Sequence, residues 1–598
     1  LPTLPHKIIE QRLQQAVSAV LPGADLSIVL LRPCPDPKFG DYQANALMQL
    51  ARPRKADPRQ LATEVVAKLD VNNLCEPVEI AGPGFLNFRL KQTTIEESLQ
   101  MALKGEHLFF QKAEIPRTIV VDFSSPNVAK PMHVGHIRST ILGDSIARTL
   151  RLLGHKVITD NHLGDWGTQF GMLLTAWKTL LDRSALERDP LAEMERIYKL
   201  ISAQCDPDKP GFNQEILNRA RSELVKLQGG DSENLEIWRK MIRLSQSQFD
   251  AIYGRLGIKF DYTLGESFYN AKLPGIVADL MRLGIAKESR GAKAVFSDGS
   301  VPPKEDPFLV NKDGEWIDNP FIIQKQDGGF NYGTTDLATI AHRLEAWQAQ
   351  EIAYVTDGRQ QLHFRQLFAT FSRWHRDGEV KLAHIWFGSI LGEDKKPFKT
   401  RSGETIRLAE LLDEAEERAL AVVAEKNPDL PASQQKEIAR VIGIGAVKYA
   451  DLLSNRQSDY IFSWAKLLSL NGNTAPYLQY AYARIRSIFR KAAEAGVANE
   501  SVWRSAEIKL PAPEELNLAR HLMNFGVVLD AVVAEYRPNY LCNYLYELAG
   551  WFTSFYENCP VLKSVERERA SRLALCALTA SVLKQGLDVL GIETLEQM

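Results

Sequence analysis

Three textures of apolar and polar positions follow one another along the chain. Near the start Ile8, Ile9, Leu13, Val17 and Val20 recur at helical spacing, followed by strand-like runs at residues 27–31 (SIVLL) and 84–90 (GFLNFRL). That mixture predicts a small α+β unit over residues 1–114. From Thr118 the pattern becomes strand, loop, helix, strand: TIVVDF, then a loop containing proline, glycine and histidine. A helix with Ile137, Ile141, Ile146, Leu150 and Leu153 apolar ends at Gly154, and KVITD follows. This is how a doubly wound parallel sheet begins. Charged helical sequence at about 184–253 interrupts it, and strand signals return at 352–357 and 384–390. Beyond Leu408 nearly every window reads as amphipathic helix. The expected architecture is multidomain α/β. An N-terminal α+β domain (1–114) precedes a Rossmann-like parallel-sheet domain (115–407) carrying the helical insertion, and an all-helical bundle (408–598) ends the chain.

Composition narrows the class. Lys plus Arg number 72 and Asp plus Glu 74, a net charge of −2. The molecule as a whole therefore exerts no long-range pull on a polyanion, and any nucleic-acid contact has to come from local basic surface. With 45% hydrophobic and 24% charged residues the profile is that of a soluble globular protein. The six cysteines contain no C-x-x-C pair, which argues against a structural zinc or a disulfide framework and for a reducing compartment. Apolar runs such as 26–31 and 573–583 are too short to span a bilayer, so no membrane role is expected. A cytoplasmic location is expected, with an organellar one left open because the chain begins at Leu1 without Met.

The chemistry concentrates in residues 124–136, SSPNVAKPMHVGH, between the first strand and the first helix of the α/β pattern. Ligands of open parallel sheets collect there, at the carboxyl ends of the strands, and the position suggests a nucleotide. With 11 His and 38 Gly in the chain, chance supplies His-x-Gly-His about 0.01 times. Gly135 removes the Cβ that would hold a flat base off the backbone. His133 and His136 set N–H donors beside the free amides of a helix N-terminus, an arrangement that stabilises phosphate oxygens.

Residues 124–140 together with DNHLGDWGTQFG (160–171) resemble the signature of class I aminoacyl-tRNA synthetases, and in this full form the arginyl-tRNA synthetase family. FGDYQAN (39–45), YGTTDLAT (332–339), TDGRQQLHF (356–364), FKTRSGE (398–404) and NGNTAPYLQYAYARI (471–485) extend the resemblance over nearly the whole chain. It implies that the sheet domain is catalytic. Arginine would be activated by ATP, with Mg2+, to arginyl-adenylate plus pyrophosphate, and then transferred to the 3′-terminal adenosine of tRNA(Arg). It also implies a monomer with L-arginine, ATP and tRNA(Arg) as partners, and activation that requires tRNA.

The resemblance also implies residue roles. Lys130, His133, His136 and Arg401 are the expected catalytic groups, with Gly135 and Lys399 joining them at ATP. Relatives usually close this site with a Lys-Met-Ser-Lys loop, whereas Phe398-Lys399-Thr400-Arg401 stands here and Lys130 is expected to compensate. Arginine would be held by Asp122, Asn127, Tyr332, Asp336 and Gln360, since a planar guanidinium is selected by bidentate acceptors. Tyr332 and Asp336, four apart, share a helix face. For tRNA the matching positions are Phe85 and Asn87 in the first domain and Tyr477, Tyr480, Arg484, Tyr556 and Met598 in the helical one, where rings stack on unpaired bases. Two other readings stay open here: another synthetase of the same fold, and a non-catalytic RNA-binding paralogue.

Overall fold

The computed structural model describes residues 4–34, 36–375, 378–396, 398, 406–496 and 503–598. The chain divides into two compact units. One combines Leu1–Glu114 with Asn427–Leu453 and Ala465–Met598; the other holds Ile115–Lys426 and Ser454–Trp464.

The second unit is organised by a parallel sheet. Four strands lie in the order Lys381–His384, Glu351–Tyr354, Thr118–Asp122, Lys156–Asp160, every neighbouring pair parallel. Ile119, Val120 and Val121 are fully buried, as expected for a central strand covered on both faces. Chain order reverses between Thr118–Asp122 and Glu351–Tyr354. That reversal opens the crevice at the carboxyl ends where ligands bind. The helix Val134–Leu152 starts there, and Ser139 in its second turn bridges both strand ends: its Oγ accepts from the Ser124 amide at 2.8 Å and donates to the Val355 carbonyl at 2.5 Å.

Four helices between Arg183 and Arg255 make up the insertion. Two antiparallel pieces between 286 and 324 follow it, a three-stranded sheet and a hairpin (Leu309–Lys312 with Glu315–Asp318), neither of which the apolar pattern announced. The helix Leu408–Lys426 clusters with the sheet unit, as does Ser454–Trp464, whose Tyr460–Ile461 pairs with Ile390–Leu391. The strand signal at 384–390 therefore splits: the sheet strand ends at His384, and Ile390 starts another short pairing.

In the first unit a four-stranded antiparallel sheet lies with the helices Pro5–Val20, Pro58–Val66 and Gln92–Leu103, an α+β arrangement. The run SIVLL is no strand. Asp25 accepts from the Ser27 amide and starts a 3₁₀ turn, Leu26–Ile28. The remaining helices form an all-helical part with Leu478, Ile485, Leu518, Leu545 and Leu583 fully buried. Among the described residues one stretch, Pro513–Glu535, is long and apolar enough to cross a membrane by length and composition; Leu518, Leu522, Phe525 and Leu529 on it are fully buried within the unit. All six cysteines are free thiols.

Candidate active site

The loop after the central strand is held in a conformation that it would not choose alone. Ser124, Ser125 and Ala129 have φ of 74°, 47° and 64°, each costing about 1–2 kcal/mol for a residue with a Cβ. Hydrogen bonds on all sides hold them there. Ser125 N donates to Asn161 Oδ1 at 3.1 Å, Ser124 Oγ meets Tyr253 Oη at 2.8 Å, and Ala129 N donates to Ser245 Oγ at 3.0 Å. Tyr253 and Ser245 both belong to the insertion helix Ser232–Arg255, so the insertion braces the loop. Asn127 pairs with Gly164 of the second signature stretch, where a Cβ would stand 2.2 Å from Asn127 Oδ1. Any side chain at 164 would push Asn127 aside.

At the start of the helix Val134–Leu152 the two histidines cap each other's turn. His133 Nδ1 accepts from the Gly135 amide at 3.0 Å, and His136 Nδ1 accepts from the His133 amide at 3.1 Å. An imidazole nitrogen that accepts carries no proton, so each ring bears its proton on Nε2. The amides of His133 and Gly135 are thus occupied rather than free for phosphate, and the donors left to a ligand are the two Nε2–H groups. Burial, and secondarily His133, drive the His136 pKa down to about 3. Desolvation also lowers His133, with Glu195 opposing and Lys130 and Arg359 adding to the shift. Both rings are neutral donors at pH 7. Gly135 also serves the cap: a Cβ there would lie 2.8 Å from the His133 ring.

Positive charge comes from elsewhere. Lys130 Nζ sits 4.8 Å from the Tyr198 ring centre, and desolvation lowers its pKa against the pull of Glu195. Arg359, an exposed cation close enough to act on His133, is a contributor that the motifs did not single out. Lys399 and Arg401 lie outside the described residues. Their C-terminal flank is anchored at the corner, with Val134 N donating to Ile406 O at 3.0 Å and Leu408 N to Met132 O at 2.9 Å.

The expected arginine ligands divide. Asp122 is 4% exposed and spent within the chain, its Oδ2 on Arg343 Nη2 at 2.5 Å and its Oδ1 on Ser125 Oγ at 3.0 Å. In this structure it secures Arg343, which also reaches Asp160 at 2.7 Å and so ties the helix Tyr332–Trp347 to two strand ends. Tyr332 and Asp336, on the first turns of that helix, stay accessible, Tyr332 at 58% exposure. Asp336 Oδ2 is 2.6 Å from His363 Nε2. Gln360 is exposed as the N-cap of the helix Gln361–Trp374.

Glu266, which no motif indicated, lies within electrostatic reach of Asp336. Burial raises its pKa to about 7; His162 opposes the rise, while Asp336 and Asp165 add to it. Two carboxylates within each other's field define a place that one additional cation would stabilise. Among the described residues no group of three His, Cys, Asp or Glu has the spacing of a metal site.

Three family models cover the chain in order. They are described as arginyl tRNA synthetase N terminal domain (residues 7–90), tRNA synthetases class I (R), catalytic domain (98–464), and DALR anticodon binding domain (478–598). The chain belongs to the arginyl-tRNA synthetase family. It is 46% identical over 595 residues to arginine–tRNA ligases of Escherichia fergusonii and Shigella flexneri, covering 99% of both chains in each case. Among solved structures it is similar to the arginyl-tRNA synthetase of Plasmodium falciparum (TM-score 0.78, 28% identity, all of both chains). It is similar also to that of Thermus thermophilus (TM-score 0.79, 25% identity, 99% and 100%).

Within the part of the family chain that carries the anticodon binding domain, the helix Ala475–Glu494 presents the predicted residues on its outer side. Its core stripe of Leu478, Ala481, Ile485 and Ile488 is buried, while Tyr480 is 47% exposed and therefore not packed between helices. The Arg484 guanidinium lies 4.7 Å over the Tyr556 ring, and Tyr477 lies 5.5 Å from Tyr546, a further partly exposed ring that the motifs missed. Met598 is half-buried. In the N-terminal domain Phe85 is half-buried beneath the Gly82 turn. Asn87 is 2% exposed and accepts from Gln43 Nε2 at 2.8 Å, so in this structure it holds the sheet.

Proposed function

We propose that this chain is an arginine–tRNA ligase whose sheet site activates arginine with MgATP and passes it to the 3′-terminal adenosine of tRNA(Arg). An oxygen of the arginine carboxylate attacks the α-phosphorus and pyrophosphate leaves. A ribose hydroxyl of the tRNA then attacks the carbonyl carbon of the mixed anhydride, losing its proton as AMP departs. Neither step needs a protein nucleophile; the protein's part is alignment and donors around the phosphorus. His133 and His136 donate through Nε2–H, and Lys130, with Arg359 nearby and Lys399 and Arg401 from the signature loop, supplies charge. Gly135 leaves the space for this cap. Asp336, Glu266 and Tyr332 receive the guanidinium, with Asn127 at the α-amino or carboxylate group and Gln360 at the pocket edge. Phe85, Tyr477, Tyr480, Arg484, Tyr556 and Met598 are the proposed tRNA contacts.

The observation that carries the choice of arginine is the pair Tyr332 and Asp336, left accessible on the first turns of the helix Tyr332–Trp347 within the stretch matched by the class I (R) catalytic-domain model. ATP–pyrophosphate exchange with arginine, lysine and citrulline, each with and without tRNA, tests the reading. Arginine alone should support exchange, and only when tRNA is present. Exchange driven by another amino acid would overturn the substrate; full-rate exchange without tRNA would overturn the coupling.

A further inference from the structure

His363 has no part in the reading above, yet it touches two of the proposed arginine ligands. It stands on the first turn of the helix Gln361–Trp374, three residues after Gln360, with its side chain 12% exposed. Its Nε2 is 2.6 Å from Asp336 Oδ2, and its ring centre is 4.7 Å from that of Tyr332. Phe321 at 5.7 Å and Phe364 at 5.2 Å hold the ring from other sides. Asp336 by itself has two free side-chain torsions, and its side chain is 20% exposed. A bond from Nε2–H to one carboxylate oxygen fixes the carboxylate plane and leaves Oδ1 to accept from a ligand.

We infer that His363 is a positioning residue for arginine selection, locking the Asp336 carboxylate and the Tyr332 ring so that both face one guanidinium. The inference rests on the pocket proposed above. The choice of histidine follows from geometry: a flat ring fits between Tyr332 and Phe321 while its Nε2 reaches Asp336 Oδ2. His384 stacks on Phe364 at 4.3 Å and is itself occupied by Thr356 Oγ1 at 2.8 Å, so it does not compete for Asp336.

The test uses the full-length enzyme in tRNA-supported pyrophosphate exchange, with arginine and ATP varied separately. His363→Phe keeps a ring against Tyr332 and Phe321 and removes the donor. The KM for arginine should rise about tenfold or more with kcat within about threefold and the KM for ATP unchanged. His363→Gln sets an amide nitrogen near the original Nε2 and should restore most of the affinity, while His363→Asn, whose amide falls short, should not. Equal arginine KM values for the Gln and Asn variants would overturn the inference, and this pair decides the matter even if the Phe variant fails to fold. A drop in kcat with unchanged KM would overturn it as well. Asp336→Asn separates the two levels. If it leaves the arginine KM unchanged, the pocket itself is misplaced; if it cripples arginine use while His363→Phe does not, only the role of His363 falls.

Discussion

His136 offers the sharpest test of how the phosphate corner works, because its two ring nitrogens do separable jobs. Nδ1 accepts the His133 amide at 3.1 Å, which starts the helix; Nε2–H is the proposed donor to the transition state. In His136→Ala both are lost. Removal of one preorganised donor costs about 2.7–4 kcal/mol, or about 10²–10³ in kcat, and removal of the cap about 1 kcal/mol of stability. In His136→Asn the side-chain oxygen stands where Nδ1 stood, so the cap survives while the distal donor is gone. We expect exchange at saturating arginine, ATP and tRNA to fall about 10²-fold or more in both variants, with melting lowered in the Ala variant alone. The pH dependence follows from the charge state. A group with its pKa at about 3 is neutral above that value, so the ratio of wild-type to variant rate should stay flat from about pH 5.5 to 8.5. An acid limb centred near the ordinary histidine value in wild type, abolished in either variant, would show that the imidazolium is the working form and refute the argument. Near-wild-type kcat in the Asn variant would refute it too.

Other predictions address recognition and stability. Tyr477→Ala should weaken tRNA binding by about 1–3 kcal/mol, the loss of one stacking ring, and deletion of Met598 should act in the same direction; dissociation constants at fixed salt, with melts as controls, check both, and unchanged affinity would remove them from the interface. Burial holds His6 and His521 at about 3 and about 4. Both take up protons on unfolding below the ordinary 6.5, so their contribution is complete above that pH and falls as the pH drops, by about 2 kcal/mol per histidine at pH 5. His521→Gln, which keeps a donor toward the Tyr544 carbonyl, should show a shallower loss of urea resistance between pH 7.5 and 5; an unchanged slope would contradict this. Arg343→Met leaves Asp122 and Asp160 buried without their cation and should destabilise the sheet unit by about 3–5 kcal/mol, measured by denaturant unfolding of that unit, whereas a change below about 1 kcal/mol would mean that the two carboxylates find other partners.

Much of this was legible in sequence because it is local. TIVVD announces a strand buried on both faces, and the spacing of Ile137, Ile141 and Ile146 announces the helix that follows. Position at a strand's carboxyl end pointed to a nucleotide before any geometry was known. What sequence concealed depends on partners far along the chain. Asp122 and Asn87 matched motif positions, but Arg343 stands 221 residues from Asp122 and Gln43 stands 44 from Asn87, and no sequence signal pointed to those in-chain partners. Glu266 shows the converse. Its neighbourhood, LGESFY, has no periodicity to mark it, and its character comes from burial beside Asp336, 70 positions later. The strands between 286 and 324 escaped because AKES and AKAV are short and half polar, below the length at which alternation is a signal. SIVLL erred the other way, since an apolar run of strand composition is overridden by one Asx cap at Asp25.

The corner's charge distribution explains why two kinds of residue are needed there. In the proposed reaction, neutral Nε2–H donors, directional and pre-set by the caps, would discriminate between the geometries of ground and transition state without holding the polyanionic substrate too tightly. Cations do the opposite: they attract phosphate at a distance and tolerate error in placement. Lys130 is restrained by the Tyr198 ring and by the field of Glu195, an acid that also pairs with Arg407 at 3.2 Å, next to the backbone pairing of the loop's flank with Met132–Val134. The insertion helix Pro190–Cys205 supplies both Glu195 and Tyr198. The same helical insertion therefore braces the strained loop through Tyr253 and Ser245 and sets the position of the corner's cation. In the proposed reaction no protein nucleophile is needed, and the insertion's contacts with the loop and with Lys130 are what would keep rigid neutral donors and adjustable charge apart.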